Sequence, residues 1–282
     1  MKLATIRTPS GTVAARVDSA PSPAEPGVAC AVPGYKDVGE LLLSDDPLHH
    51  AESATLALEF LWTDLAPVIP RPEKIICVGL NYARHIREMN REFPDHPTLF
   101  IKFADALTGP FDDVVIPPRA QAKLDYEGEL AVVIGTRAHE VSREDSLDFV
   151  AGYSIMNDYT LRDFQRRTSQ FHQGKSFYRT AGFGPWLTTS DEWAPGSGAM
   201  LTTTVDGQVR QHDNTDDLIF SVAELVEFCS HLYPLNPGDV IVTGTPEGVG
   251  FARDPQAFLQ DKQVVRIAIE GLGHVANQTI FS

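Results

Sequence analysis

The stretch KLDYEGELAVVIG, residues 123–135, joins an acidic alternation to a continuous apolar run. Residues 130–134 read as the body of a buried β-strand. Before them, Asp125, Glu127 and Glu129 occupy every second position, and side chains two apart on a strand share a face. Three carboxylates side by side repel one another unless something positive sits between them. One reading is a strand end whose charges stay in water. The other is a hard divalent cation held by Glu127 and Glu129, since all-oxygen carboxylate clusters suit Mg²⁺, Mn²⁺ or Ca²⁺ rather than zinc. A third ligand should then come from a neighbouring strand end. GYSIMNDYTLRDFQ, residues 152–165, puts Asp158 directly after the next apolar strand. Asn-Asp after a strand is also a common turn, so it is the coincidence of the two features that favours a metal site.

Around this stretch the chain reads as an ordinary globular protein. It has 282 residues, 43% of them hydrophobic, enough for a sizeable core and a smaller annex. Its 38 acidic and 23 basic side chains give a net charge of −15. A surface that negative repels nucleic acid and anionic membrane. Three widely separated cysteines, Cys30, Cys77 and Cys229, offer neither a disulfide framework nor a cysteine zinc site. No apolar run approaches the roughly 20 residues of a membrane span, and the N-terminus lacks a signal-peptide pattern. A cytoplasmic location is the resulting expectation.

KLATIR and TVAARV (2–7 and 12–17) flank a turn-like TPSG and predict a hairpin. Short helical pieces are expected at 38–43 and 54–61, and the proline-rich VIPRPEK (68–74) marks a boundary. The expected organisation is a small N-terminal domain, 1–70, and a catalytic domain, 71–282. From residue 75 the chain is mostly short β-runs with turns such as Asp206-Gly207. Two strong helices are expected, one over 81–93 and one opened by a Ser221/Glu224 capping box. Regular βαβ alternation is missing, so a β-rich α+β domain fits best.

Three further segments carry chemistry. LRDFQRRTSQFHQGKSF (161–177) supplies Arg162, Arg166, Arg167 and Lys175, a basic stretch in an acidic chain. These are either solvated loop charges or cations that receive an anionic substrate beside the carboxylates. In NYARHIREMNREF (81–93), His85 and Glu88 are neighbours three apart on one helical face. They form either a surface pair or a dyad in which the carboxylate orients an imidazole base. HIRE lacks the second histidine of a zinc-protease motif. The glycine-rich VTGTPEGVGF (242–251) matches no nucleotide motif, but lets Thr245 and backbone N–H groups approach a ligand. GFGPW (182–186) reads as a structural turn.

CVGLNYARHIREM, DYEGELAVVIG, GYSIMNDYTLRDFQ, GKSF and DVIVTGTPEGVG occur in that order from about Lys74 onward. Together they resemble the fumarylacetoacetate hydrolase superfamily. The resemblance implies its mixed β-roll, usually a homodimer, with the first 70 residues as a small α+β domain. It implies Mg²⁺ (or Mn²⁺) on Glu127, Glu129 and Asp158. It implies substrate contacts from Arg162, Gln165 and Thr245, a Lys175 that stabilises developing charge, and a His85–Glu88 dyad on a lid segment. Fumarylacetoacetate hydrolase itself adds an aspartate ligand before the dyad, where this chain has GLNYAR, which suggests a branch with smaller substrates. Asp125 is expected outside the metal's ligand set. The expected activity is hydrolysis of the C–C bond of a 2,4-dioxo acid of the acylpyruvate or fumarylpyruvate type, as in aromatic catabolism. Oxaloacetate decarboxylation and 2-hydroxyhepta-2,4-diene-1,7-dioate-type isomerisation are the alternatives. The pocket for the substrate's far end is expected from the N-terminal domain and residues 90–97.

Overall fold

The computed structural model describes residues 1–195 and 198–282. Its centre is the strand Gly128–Ile134, buried along its whole length. Leu130, Val132 and Ile134 pack into one apolar cluster, whereas Ala131 and Val133 pack into another. A strand covered on both faces has no solvent side to mark with polar residues, hence the unbroken apolar run.

That strand pairs antiparallel with Val150–Asn157 on one side and Val240–Val242 on the other. The sheet continues past Val240–Val242 through a parallel Ile75–Gly79 to the edge strand Thr98–Ile101. Past Val150–Asn157 it passes through Ala181–Thr189 to the hairpin Lys2–Thr8 and Gly11–Ser19, then Gly27–Ala31 and Leu56–Phe60. A five-stranded sheet of Gln208–Asn214, Met200–Val205, Val264–Ile269, Gly273–Phe281 and Val114–Ile116 packs against it. The helix Val222–Leu232 closes the same core with Val222, Leu225, Val226 and Cys229. This is the expected β-rich α+β fold. The sheet and one core cluster both run across residue 70: Val38 and Leu41 pack with Ile75, Cys77 and Val133.

Several local expectations meet the structure directly. Ser221 and Glu224 form the capping box. Asp206 and Gly207 both take positive φ in the turn between Met200–Val205 and Gln208–Asn214, as a tight hairpin requires. Others differ. GFGPW is no turn but part of the strand Ala181–Thr189. Pro185 is tolerated because the facing strand shifts register between Tyr153 and Ile155. There the Ser154 hydroxyl reaches the Gly184 and Trp186 carbonyls at 3.0 and 2.8 Å. The helical piece expected at 54–61 is instead a helix Pro47–Glu52 capped by Asp46, followed by the strand Leu56–Phe60.

The helix expected over 81–93 spans only Ala83–Glu88. Asn90 turns left-handed at φ 51°, and the Arg91 N–H reaches back to the Ile86 carbonyl at 3.0 Å, which terminates the helix. Phe93, which continues the apolar spacing of Tyr82, Ile86 and Met89 on which the longer helix was expected, is therefore exposed.

Removing the Ser221 cap should cost stability without touching the site. Ser221→Ala is expected to lower the unfolding free energy by about 1 kcal/mol in urea denaturation, and an unchanged midpoint would discount the cap.

Candidate active site

The acidic alternation does not survive as one strand. Leu124–Asp125 pairs with Thr160–Leu161 in a separate two-stranded ladder, and the main strand starts afresh at Gly128. Asp125 thereby leaves the company of Glu127 and Glu129. Its carboxylate, fully buried, accepts from the Gly250 N–H at 2.8 Å and the Phe251 N–H at 2.9 Å, and from Arg162 Nε at 2.8 Å. It anchors the glycine-rich loop and aims Arg162.

Glu127, Glu129 and Asp158 converge as the spacing suggests: one oxygen from each lies within 4.8 Å of the others, and all three residues are buried. Lys175 Nζ sits 2.5 Å from Glu127 and 2.7 Å from Asp158. Arg162 reaches the other Glu127 oxygen at 2.7 Å. A residue the sequence reading passed over, Lys102, contacts Asp158 at 2.7 Å and also donates to the Lys175 carbonyl. It follows the strand Thr98–Ile101 as a single lysine between Ile101 and Phe103, with no spacing pattern to single it out.

The electrostatics separate the three acids. Burial would raise the Glu127 carboxyl, but Lys175 and Arg162 outweigh it and pull it down to about 2. Burial holds Glu129 well above the usual carboxylate range, and the neighbouring Asp158 and Glu127 push the same way. Burial disfavours the charge on Lys175, yet Asp158 and Glu127 keep it above its ordinary value, an ammonium at neutral pH. Glu129 accepts one backbone N–H, from Gly244 at 2.7 Å, and has no ion-pair partner among the described residues. A buried carboxylate repelled by two others, with no cation of its own, fits a bound cation. The all-oxygen donor set can therefore hold a divalent metal.

A cavity of about 430 Å³ opens over this cluster. Glu127, Glu129, Lys175, Arg162, Gln165 and Thr245 line it, and so does His85. Thr245 faces the cavity, but its hydroxyl already donates to the Gly128 carbonyl at 3.1 Å and accepts from Gln211 at 2.7 Å. Gln165 accepts from Arg162 at 3.2 Å. Among the described residues the lining starts at Val78, so it draws on the expected segment 90–97 through Arg91 and on none of residues 1–70.

His85 Nδ1 lies 3.1 Å from a Glu88 oxygen. With Glu88 ionised, Nδ1 carries the hydrogen and Nε2 keeps a free lone pair. The other Glu88 oxygen accepts from the Gly248 N–H at 2.9 Å, so the glycine-rich loop fixes the dyad's acid. Asn81, fully buried, ties the start of this segment to Phe220 and Thr243 through its side-chain amide. Asp217 accepts the Arg84 N–H at 2.9 Å. Gly248 has φ 102°, and a Cβ there would strike the Arg210 carbonyl.

The family model "Fumarylacetoacetate (FAA) hydrolase C-terminal" matches residues 74–280. Over 220 residues the chain is 42% identical to the mitochondrial oxaloacetate tautomerase FAHD2A of Bos taurus, covering 77% of this chain and 69% of that protein. The fumarylacetoacetate hydrolase of the psychrophile Exiguobacterium antarcticum superposes with a TM-score of 0.86 at 33% identity, over 100% of both chains. The 5-carboxymethyl-2-hydroxymuconate delta-isomerase of Mycobacterium smegmatis gives 0.79 at 32%, over 100% of this chain and 99% of that one.

Two outcomes follow from this geometry. The surroundings that raise the Glu129 carboxyl favour its proton over its charge, so a cation binding there competes with that proton, its affinity should rise with pH and binding should release protons. Calorimetry in two buffers of different ionisation enthalpy reads this directly, and a pH-independent affinity would count against Glu129 as a ligand. Gly248→Ala should strain a left-handed backbone position and displace the Glu88 acceptor contact. Turnover is expected to fall at least about tenfold, a partial loss of the roughly 10²- to 10⁴-fold that a positioned general base contributes, while metal affinity holds.

Proposed function

The chain belongs to the fumarylacetoacetate hydrolase family, and from that premise we propose that it interconverts the keto and enol forms of oxaloacetate or a close 2-oxo dicarboxylate. The observation that carries the reading is His85, paired with Glu88 through Nδ1, lining the same cavity as Glu127, Glu129 and Lys175. Glu127, Glu129 and Asp158 would hold Mg²⁺, or Mn²⁺, which supplies positive charge at the 2-oxo oxygen and so acidifies the C3–H bond. His85 Nε2 takes the C3 proton, and Glu88 stabilises the imidazolium that results. The electron pair left by the C–H bond moves into the C2–C3 bond and onto the 2-oxo oxygen. Lys175, kept as an ammonium, offsets charge developing there. Return of the proton to that oxygen gives the enol, and the reverse sequence gives the ketone. No water enters the balance. The name of the bovine relative supports this reaction, as do the isomerase name of the Mycobacterium smegmatis structure and the fit of its fold.

C–C hydrolysis of an acylpyruvate, the reaction expected from the sequence, stands as the second reading. The same observation favours it, because a histidine base oriented by a carboxylate can take its proton from water instead of carbon.

Decay of the enol of oxaloacetate, followed by its ultraviolet absorbance, separates the two when run beside product analysis on acylpyruvates. Tautomerisation should be abolished by chelation and restored by Mg²⁺. Glu127→Gln and His85→Ala should each slow it by about 10²-fold or more. Metal-dependent release of pyruvate from an acylpyruvate, with no acceleration of oxaloacetate enol decay, would replace the tautomerase reading by the hydrolase.

A further inference from the structure

The large cavity does not end at the carboxylate cluster. A second, smaller cavity of about 330 Å³ adjoins it, and Met89, Arg91 and Arg166 line both. Glu127 and Glu129 line only the first. The two arginines therefore stand at the junction, on the side away from the cluster.

Their placement follows from the chain. The left-handed turn at Asn90 that ends the dyad helix delivers Arg91 to the cavity. Arg166 sits directly after the short helix Arg162–Gln165, with its N–H bonded to the Arg162 carbonyl at 3.3 Å. It is thus four residues, about 6 Å of helical rise, beyond an arginine already fixed on Glu127.

Neither guanidinium is spent on the protein. Arg162 is committed to Asp125 and Glu127, and Arg84 to Asp213. Arg91 and Arg166 have no acidic partner among the described residues. Arg166 instead lies 3.9 Å from the ring centroid of Phe251, on the loop that Asp125 anchors. Stacking on a ring holds the guanidinium plane while leaving its N–H edge free. Burial depresses its basicity, and the positive charges of Arg162 and Arg91 add to that. In a chain of net charge −15, two unpaired and mutually repelling arginines at a cavity junction call for an anion between them.

We propose that Arg91 and Arg166 form a subsite for a second carboxylate, the one at the far end of the substrate, so that the site selects dicarboxylic over monocarboxylic 2-oxo acids. The assignment of the near end rests on the reaction proposed above. The far end rests on the two arginines alone.

Binding tests this without requiring turnover. Malate and its 4-methyl ester differ in the distal charge, which the ester replaces by a methyl cap, and neither is a 2-oxo acid that can enolise. Their affinities for the full chain with Mg²⁺ are measured by calorimetry for the native protein, Arg91→Met, Arg166→Met and Arg87→Met. A charge-assisted contact predicts that the native protein holds malate about 10- to 100-fold more tightly than the ester. Arg91→Met and Arg166→Met should each narrow that ratio at least about threefold by weakening malate, and together bring it close to one. Arg87→Met removes a charge from the same helix but from neither cavity lining, and should leave the ratio unchanged. Methionine keeps the length of the stem at exposed positions, so folding is preserved. Equal affinity for both ligands, no binding of malate, an undiminished ratio in both variants, or an equal loss in Arg87→Met would each overturn the subsite. Intact malate selectivity in a chain that does not enolise oxaloacetate would sink the proposed reaction and leave the subsite standing.

Discussion

Burying charge is expensive, and this site buries seven charges together. Asp125, Glu127, Glu129 and Asp158 share one volume with Lys102, Lys175 and Arg162. Each isolated ion would cost several kcal/mol on leaving water, and the cost is offset only where opposite charges meet at contact distance. Lys102 and Lys175 hold Asp158 from two sides, and Arg162 bridges Asp125 to Glu127. With Glu129 ionised, four carboxylates against three cations would leave one negative charge, located where Glu129 lacks a partner, and that excess is what raises its carboxyl. A divalent cation reverses that sign, so the cluster that attracts the metal becomes, once filled, a cluster that attracts an anion. Ligand set and substrate charge are two consequences of one imbalance.

The rest of the structure keeps this cluster in register. The strand Gly128–Ile134 is gripped by apolar packing on both faces, which fixes where Glu129 emerges. Asp125 departs into a separate ladder, and that departure ties the loop at Gly250 and Phe251 to the base of the site. The same loop presents the Gly248 N–H to Glu88. The His85–Glu88 pair and the carboxylate cluster are thus coupled through backbone contacts of one glycine-rich segment. Its glycines matter for left-handed turns and close backbone approach, not for binding phosphate.

The carboxylate cluster was legible because strand periodicity and charge chemistry are local properties. Glu127 and Glu129 sit two apart, and Asp158 ends the next strand. Lys102 was not legible: a lone lysine after an edge strand carries no pattern, and only the fold brings it to Asp158. The apparent equivalence of Asp125 with the two glutamates was a misreading of a different kind. Periodicity assumes one continuous strand, and the interruption at residues 126–127 depends on pairing with residues 160–161. The dyad helix was overextended for a similar reason, since its apolar spacing continues to Phe93 while Asn90 turns the backbone left-handed. The strand through Pro185 was hidden by the same proline that would break a regular ladder, because the compensating irregularity lies on the facing strand at Ser154.

A base and a charge sink do not by themselves choose between taking a proton from carbon and taking one from water. The choice depends on what occupies the space in front of His85. A diacid anchored at one end by a cation on the carboxylate cluster and at the other by Arg91 and Arg166 would lie along the cavity that His85 lines. A substrate without the distal charge has one anchor and leaves room for water beside the base. The same constellation would then favour enolisation of short diacids and hydrolysis of neutral-tailed dioxo acids. The two arginines at the cavity junction, rather than the metal ligands, would set which chemistry prevails.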